Sequence, residues 1–332
     1  MSTAQIKALE DYFRLMDRNS MAHAIRAAVD LGVIDCLKKG QKTNSELATE
    51  LSLSPESLQL LMRVLCRSEL VEQYEDDYAL SQVGRLIPDR FLHMGDHHWQ
   101  YLGGFIKSGK PLPVDEELPV TDADFLLQQA SQEWTQTPAA MDAATILDIG
   151  DSRKDLRILE VGCGAAVFSV AISHRDPGSQ LTLLDRGPEL KRAMETVEGV
   201  GLEERVSYLE TDYLQDGWVE GLEESEFDMV IVAGIAHRHN QDECQQLFAN
   251  IAKLCHPGTN LVIIDVFPGQ EKGDAHRELF ELQLGLRTSK GALHDAKQLQ
   301  SQLKSLGFDD VQYAPLPAAP HIWGLVLAAY QG

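Results

Sequence analysis

From Leu156 onward the sequence alternates short apolar or β-branched runs with helical stretches, and no other feature narrows the fold as far. The runs are LRILEVG, SQLTLLD, RVSYLET, FDMVIVAGI, TNLVIIDVF, VQYAPL and HIWGLVLAAY. Strands that alternate with helices imply right-handed βαβ crossovers and a largely parallel sheet. The expected architecture is therefore α/β, a doubly wound domain whose ligand sits at the carboxyl ends of its strands.

Before Leu156 the period is different. A chain of 332 residues exceeds the usual span of one domain. From Ala4 to about Arg90 apolar residues recur every three to four positions, which is the helical period. MAHAIRAAVDLGVIDCLKKG places Met21, Ala24, Ile25, Ala28, Val29, Leu31 and Val33 on one side and reads as a helix that stops at Gly40. Thr43 with Glu46 matches a capping box, and Ser54 before Pro55 matches an N-cap with proline at the first helical position. LVEQYEDDYALSQVGRLI then alternates around the acidic turn Glu75-Asp76-Asp77, as a small hairpin does. Three helices and a hairpin give residues 1–90 a winged-helix outline. Residues 91–150 read as a helical connector that contributes to the substrate pocket, with one or two helices over ADFLLQQASQEWTQTPAAMDAATILDI. The α/β domain then occupies 151–332.

Charge and cysteines exclude several classes of partner. The net charge is −22, of which the first 100 residues carry only −4 (11 basic against 15 acidic) and the remainder −18. So acidic a body repels nucleic-acid backbones and anionic lipid surfaces. A groove-reading helix needs a basic face, yet the helix from Pro55 offers Glu56, Ser57 and Gln59 with only Arg63 and Arg67 behind them. No nucleic-acid partner is expected, and the first domain reads as a packing and dimerisation domain. No apolar run approaches the roughly 20 residues of a membrane span, and the N-terminus lacks a basic-then-apolar signal. The five cysteines are odd in number, scattered and without a CxxC pair, which fits reduced thiols and a cytoplasmic location. His93, His97 and His98 fall near one helical face, but without carboxylate or cysteine partners at ligand spacing no metal site is expected.

The first strand and its loop, RILEVGCGAAVFSVAISHRDPGSQLTLLDR, carry the ligand chemistry. A G-x-G-x-x-G fingerprint needs glycine at 167, where Val167 stands, and G-x-G-x-G needs it at 166, where Ala166 stands. Glu160, two residues before Gly162, would repel a pyrophosphate and favour a cationic, phosphate-free ligand. Gly162 and Gly164 let the backbone approach that ligand closely. Asp185, at the end of the second strand, is placed to accept from ribose hydroxyls. The combination asks for a positively charged nucleoside, and it disfavours a nicotinamide dinucleotide without excluding one.

With these residues in place, the chain resembles the class I S-adenosylmethionine-dependent methyltransferases. It resembles most their O-methyltransferase family with an N-terminal winged-helix dimerisation domain. The likeness covers nearly the whole chain, through VDLGVIDCLKKGQKTNSELATELSLSPESLQLLMRVLCRSELVEQYEDDYALSQVGRLI, LEVGCGAAVFSVAI, LETDYL and AHRHNQDECQQLFANIAKLCHPGTNLVIIDVF. The resemblance implies a Rossmann-like methyltransferase domain and a homodimer. It implies S-adenosylmethionine as cofactor, S-adenosylhomocysteine as product, and a hydroxyl of a small aromatic metabolite as acceptor. Glu160, Gly162 and Gly164 would line the methionine portion, Asp185 the ribose, and Asp212 with Tyr213 the adenine. His237 matches the family's general base, and Asp265 matches the acidic residue that orients it. Histidine suits the task because its unperturbed pKa, about 6.5, leaves it largely neutral at cellular pH.

The sequence departs from the family at Ala166, where a third glycine is usual, at His239, where tryptophan is usual, and at Leu293, where a second acidic partner of the base is usual. The departures at His239 and Leu293 keep N- or C-methylation open as an alternative. A nicotinamide oxidoreductase and a nucleoside-sensing DNA-binding regulator stand further off.

Overall fold

In the computed structural model, which describes residues 2–87, 96–113, 122–215, 217–222, 226–269 and 275–332, the chain divides into two units between Asp96 and His97. The first contains helices α1 (Thr3–Asp30), α2 (Val33–Lys38), α3 (Asn44–Glu50), α4 (Pro55–Arg67) and α5 (Gln82–Arg85). Its short strands β1 (Lys42–Thr43), β2 (Val71–Tyr74) and β3 (Asp77–Leu80) form an antiparallel sheet in the order β1-β3-β2.

The helix read as continuous to Gly40 is instead two helices. Gly32, at φ +76°, turns the chain between α1 and α2. Glycine adopts that left-handed conformation without steric cost. The caps fall where the sequence places them: the Thr43 hydroxyl accepts from Glu46 N and the Glu46 carboxylate from Thr43 N, while the Ser54 hydroxyl accepts from Ser57 N. Ile34, Leu37, Leu47, Met62, Leu65 and Tyr78 fill the core, and the Tyr78 hydroxyl accepts from Gln59 Nε2 at 2.7 Å. On α1, in contrast, Ile6, Leu9, Tyr12, Phe13, Leu15 and Met16 lie exposed.

Helix α6 (Asp96–Gln100) starts at the division, and α7 (Leu102–Ser108) and α8 (Asp122–Ile146), one helix with Pro138 inside it, follow in the second unit. The alternating region follows as β4 (Arg157–Val161), α9 (Val167–Arg175), β5 (Gln180–Asp185), α10 (Gly187–Gly199), β6 (Val206–Glu210), β7 (Met229–Ala233), α11 (Gln241–Ala252), β8 (Asn260–Val266), α12 (Ala275–Arg287), α13 (Ala296–Ser305), β9 (Phe308–Pro315) and β10 (Trp323–Tyr330). The strands form one sheet in the order β6-β5-β4-β7-β8-β10-β9. The first five are parallel, and β10 pairs antiparallel with both β8 and β9.

Both faces of the sheet are covered, which is why its strands read as unbroken apolar runs. Ile158, Leu181, Met229, Ile231, Val262 and Ile264 point into one layer with α8, α9 and α10. Leu159, Leu184, Val230, Val232, Leu261 and Ile263 point into the other with α11 and α13. Glu133 of α8 reaches Arg192 and Thr196 of α10 at 2.6 and 3.1 Å, tying the connector region to the sheet's flank. The strand order reverses direction at β4, whose neighbours are β5 and β7. A crevice opens at such a switch point, at the carboxyl ends of the strands. All five cysteines are free. Among the described residues no helix is long and apolar enough to cross a membrane.

Candidate active site

A cavity sits at that switch point. Glu160, Gly162, Gly164, Asp185 and Tyr213 line it, together with Gln136, Arg186, Glu189, Ile235 and Arg238. The loop after β4 hangs on the end of β5: Gly162 N and Cys163 N both donate to Leu184 O, at 2.8 and 3.2 Å, and Gly164 N donates to Asp185 Oδ2 at 2.8 Å. Gly162 has φ +70°, and a Cβ there would stand 2.6 Å from Ile235 Cδ1 and 3.2 Å from Tyr213. Only glycine fits both the conformation and the space.

Glu160 is 1% exposed and accepts from Ser169 N, at the start of α9, at 3.2 Å. Burial pushes its carboxyl up to about 7, despite that hydrogen bond. Asp185 is also raised, first by burial, although Gly164 N and Arg186 N donate to it. Two buried carboxyls raised together form a site that a cation would relieve.

Of the two residues expected at the adenine, Tyr213 lines the cavity while Asp212 is not among its lining residues. Asp212 Oδ1 instead accepts from Leu214 N at 2.9 Å and closes its own turn. Tyr213 shares a hydrogen bond of 3.1 Å with Nε2 of His239, the residue that stands where tryptophan is usual. His239 is buried, with Glu243 3.5 Å from its Nδ1 and Lys290 2.6 Å beyond on Glu243. Burial lowers the His239 pKa against the opposing pull of Glu243, and burial pushes the Tyr213 phenol up to about 12. The cavity wall thus holds a neutral tyrosine on a neutral histidine.

His237 rides on a short turn, Ala236–Arg238, after β7. Asp265, near the end of β8, takes hold of it twice: Oδ2 accepts from His237 N at 3.0 Å, and Oδ1 lies 2.6 Å from Nδ1. Burial would raise the Asp265 carboxyl, but the adjoining His237 imidazole and the surrounding N–H donors outweigh it and hold the pKa below the ordinary value. An ionised Asp265 fixes the proton on Nδ1 and leaves the Nε2 lone pair free to act as a base. The Phe280 ring stands edge-on to the imidazole, 5.2 Å away at 74°. His237 does not itself line the cavity, but Ile235 and Arg238 on either side of it do.

Sequence reasoning did not single out Gln136, Arg186, Glu189 and Arg238, which also line the cavity. Arg186 follows Asp185 and Arg238 follows His237, so adjacency was the one available signal for those two. His93 lies outside the described residues, as does the side chain of His97. Among the described residues no cluster of His, Cys, Asp and Glu is arranged to hold a metal.

Comparison with known proteins identifies the family. The O-methyltransferase dimerisation domain matches residues 13–88, and the O-methyltransferase domain matches residues 120–309. The chain is 28% identical to the mitomycin biosynthesis 6-O-methyltransferase of Streptomyces lavendulae over 279 residues, covering 74% of this chain and 73% of that one. It is 20% identical to the demethylspheroidene O-methyltransferase of Cereibacter sphaeroides, covering 92% and 83%. Among solved structures, human N-acetylserotonin methyltransferase in complex with S-adenosylmethionine shares the fold with a TM-score of 0.77, at 20% identity over 100% of this chain and 99% of that one. With one family domain over its helical unit and another over more than half its length, the chain belongs to the O-methyltransferase family, whose enzymes use S-adenosylmethionine.

Proposed function

We propose that this enzyme transfers a methyl group from S-adenosylmethionine to a hydroxyl of a small aromatic acceptor, with His237 as general base. The observation that carries the reading is the His237–Asp265 pair, held at 2.6 Å on a turn whose neighbouring residues line the cavity.

The chemistry of the cavity's lining supports this cofactor. Glu160 is a buried carboxyl that gains from a nearby cation, Asp185 closes the ribose end, and Gly162 leaves room where a side chain would collide. When bound, S-adenosylmethionine supplies an electrophilic methyl on a sulfonium. The chain's own residues supply the rest. A phenol of ordinary pKa near 10 is mostly neutral at pH 7 and a weak nucleophile. His237 Nε2 takes the hydroxyl proton as the oxygen attacks, and Asp265 stabilises the imidazolium that results. Tyr213, braced by His239, forms the wall of the adenine side. Phe280, packed edge-on against His237, gives the base an apolar flank that suits an aromatic ring.

The exposed apolar stripe on α1 supports a homodimer, and the free thiols support a cytoplasmic location. Calorimetric titration with S-adenosylmethionine tests the cofactor site. Saturable binding is expected, lost in Glu160→Ala and in Asp185→Ala. Incubation with methyl-labelled cofactor and a panel of simple phenols then tests the chemistry. Label on oxygen, reduced roughly 10²- to 10⁴-fold in His237→Gln, is expected. Label on carbon, or full turnover by His237→Gln, would defeat the reading.

A further inference from the structure

We infer that His294 is a positioning residue that clamps the turn bearing His237, an inference that rests on the reading of His237 as the base. His294 Nε2 lies 2.9 Å from Ala236 O and 3.0 Å from His239 O, the carbonyls on either side of His237 and Arg238. Carbonyl oxygens only accept, so Nε2 carries the proton and shares it between them. Cys244 Sγ closes the cluster, 3.4 Å from His294 Nε2 and donating to Ala236 O at 3.4 Å.

The same segment grips the turn a third time. Ala292 N donates to His237 O at 3.0 Å. Gly291 permits that approach, since a Cβ there would stand 2.7 Å from His237 O. Leu293, between the two gripping residues, packs with the core layer of Phe280 and anchors the segment. The turn spans three residues and makes few bonds of its own: Arg238 N to Ile235 O and His239 N to Ala236 O. Its geometry is therefore set from outside. Asp265 holds the N–H and Nδ1 of His237 from one side, and residues 292–294 hold the carbonyls from the other.

Such a clamp has a chemical purpose. A general base must sit within hydrogen-bond reach of the proton it takes, and displacement by about 1 Å can cost roughly 10²-fold in rate. Among the described residues His294 is not part of the cavity wall, and its bonds run to the carbonyls of the turn, so its effect reaches the reaction through His237.

The test uses the purified full-length enzyme labelled with ¹⁵N-histidine. The Nδ1 proton between His237 and Asp265 is expected as a downfield resonance, assigned by its loss in His237→Gln. In His294→Leu, which removes the donor at similar volume, that resonance should shift and exchange with water roughly 10- to 100-fold faster. In His294→Gln, whose amide N–H reaches the same carbonyls, it should return. Calorimetric affinity for S-adenosylmethionine should be unchanged in both. If His294→Leu does not fold, His294→Asn, polar but too short to reach, takes its place with the same expected outcome. An unaltered resonance in the folded leucine or asparagine variant overturns the clamp. Full turnover on phenols by His237→Gln, with the resonance still sensitive to position 294, would instead leave the clamp standing and remove His237 as the base.

Discussion

At the scale of single residues, Glu160 joins sequence, stability and ligand chemistry. Its carboxyl stands at about 7 in the folded protein against an ordinary value of 4.5. Below both values it is protonated in either state and costs nothing. As pH rises through that window, the unfolded chain ionises first and the folded state loses stability. Above pH 7 the loss is complete at roughly 3 kcal/mol. Glu160→Gln keeps an acceptor for Ser169 N and removes the ionisation. Denaturant unfolding of the ligand-free enzyme between pH 5 and 8 should therefore show the variant gaining roughly 2 to 3 kcal/mol on the parent as pH rises, while its affinity for S-adenosylmethionine falls. Parallel stability curves would mean that Glu160 is not buried as described. The place of Glu160 and Asp185 at the strand ends, where both line the cavity, was legible in the sequence because spacing from a glycine pair fixes where a strand's last carboxylates lie. That the Asp212 side chain accepts from Leu214 N was not legible, since a short polar side chain closes its own turn as readily as it meets a ligand, and sequence does not separate the two. His294 carried no signal either, because its partners Ala236 and His239 lie more than 50 positions away and are backbone atoms that any sequence would offer.

At the scale of elements, the strands were legible for a physical reason: a parallel sheet covered on both faces forces an unbroken apolar run on every central strand. The break between α1 and α2 was hidden, because the apolar stripe continues in phase from Val29 to Val33 and only the backbone angle of Gly32 interrupts it. The junction of the cofactor loop with α9 shows a subtler departure. Ala166, where a third glycine is usual, lies at φ +58° as the N-cap of α9. That left-handed conformation costs an L-residue about 1 to 2 kcal/mol. Its methyl is fully buried in the core layer, which recovers about 0.8 kcal/mol. Ala166→Gly is accordingly expected to change stability by less than about 1 kcal/mol, since strain relief and lost burial offset each other. Ala166→Val should cost more than about 2 kcal/mol, because a β-branched residue suits this conformation worse and the methyl of Ala166 is already fully buried. Unfolding of the two variants side by side checks this, and a tolerated valine would contradict the angle at 166.

At the scale of the whole molecule, charge and apolar surface are distributed in opposite senses. The first 100 residues carry −4 of the total −22, so two copies brought together through the first unit repel one another least. The apolar surface lies there too. Ile6, Leu9, Phe13 and Met16 recur at intervals of three and four along α1, forming one stripe flanked by Tyr12 and Leu15, and each of the six is between 39 and 59% exposed. An apolar stripe of this length left in water marks an interaction surface, and the dimerisation domain of the family spans residues 13–88. A second copy of the chain is the partner we expect on it. Sedimentation should report twice the 36.8 kDa chain mass, with association strengthened by added salt as the residual like-charge repulsion is screened. Leu9→Asp combined with Phe13→Asp should sediment as a monomer and keep its thermal unfolding profile in the second unit, because both side chains are exposed within the single chain. A parent that sediments as a monomer at every concentration, or a double variant that remains a dimer, would place the interface elsewhere.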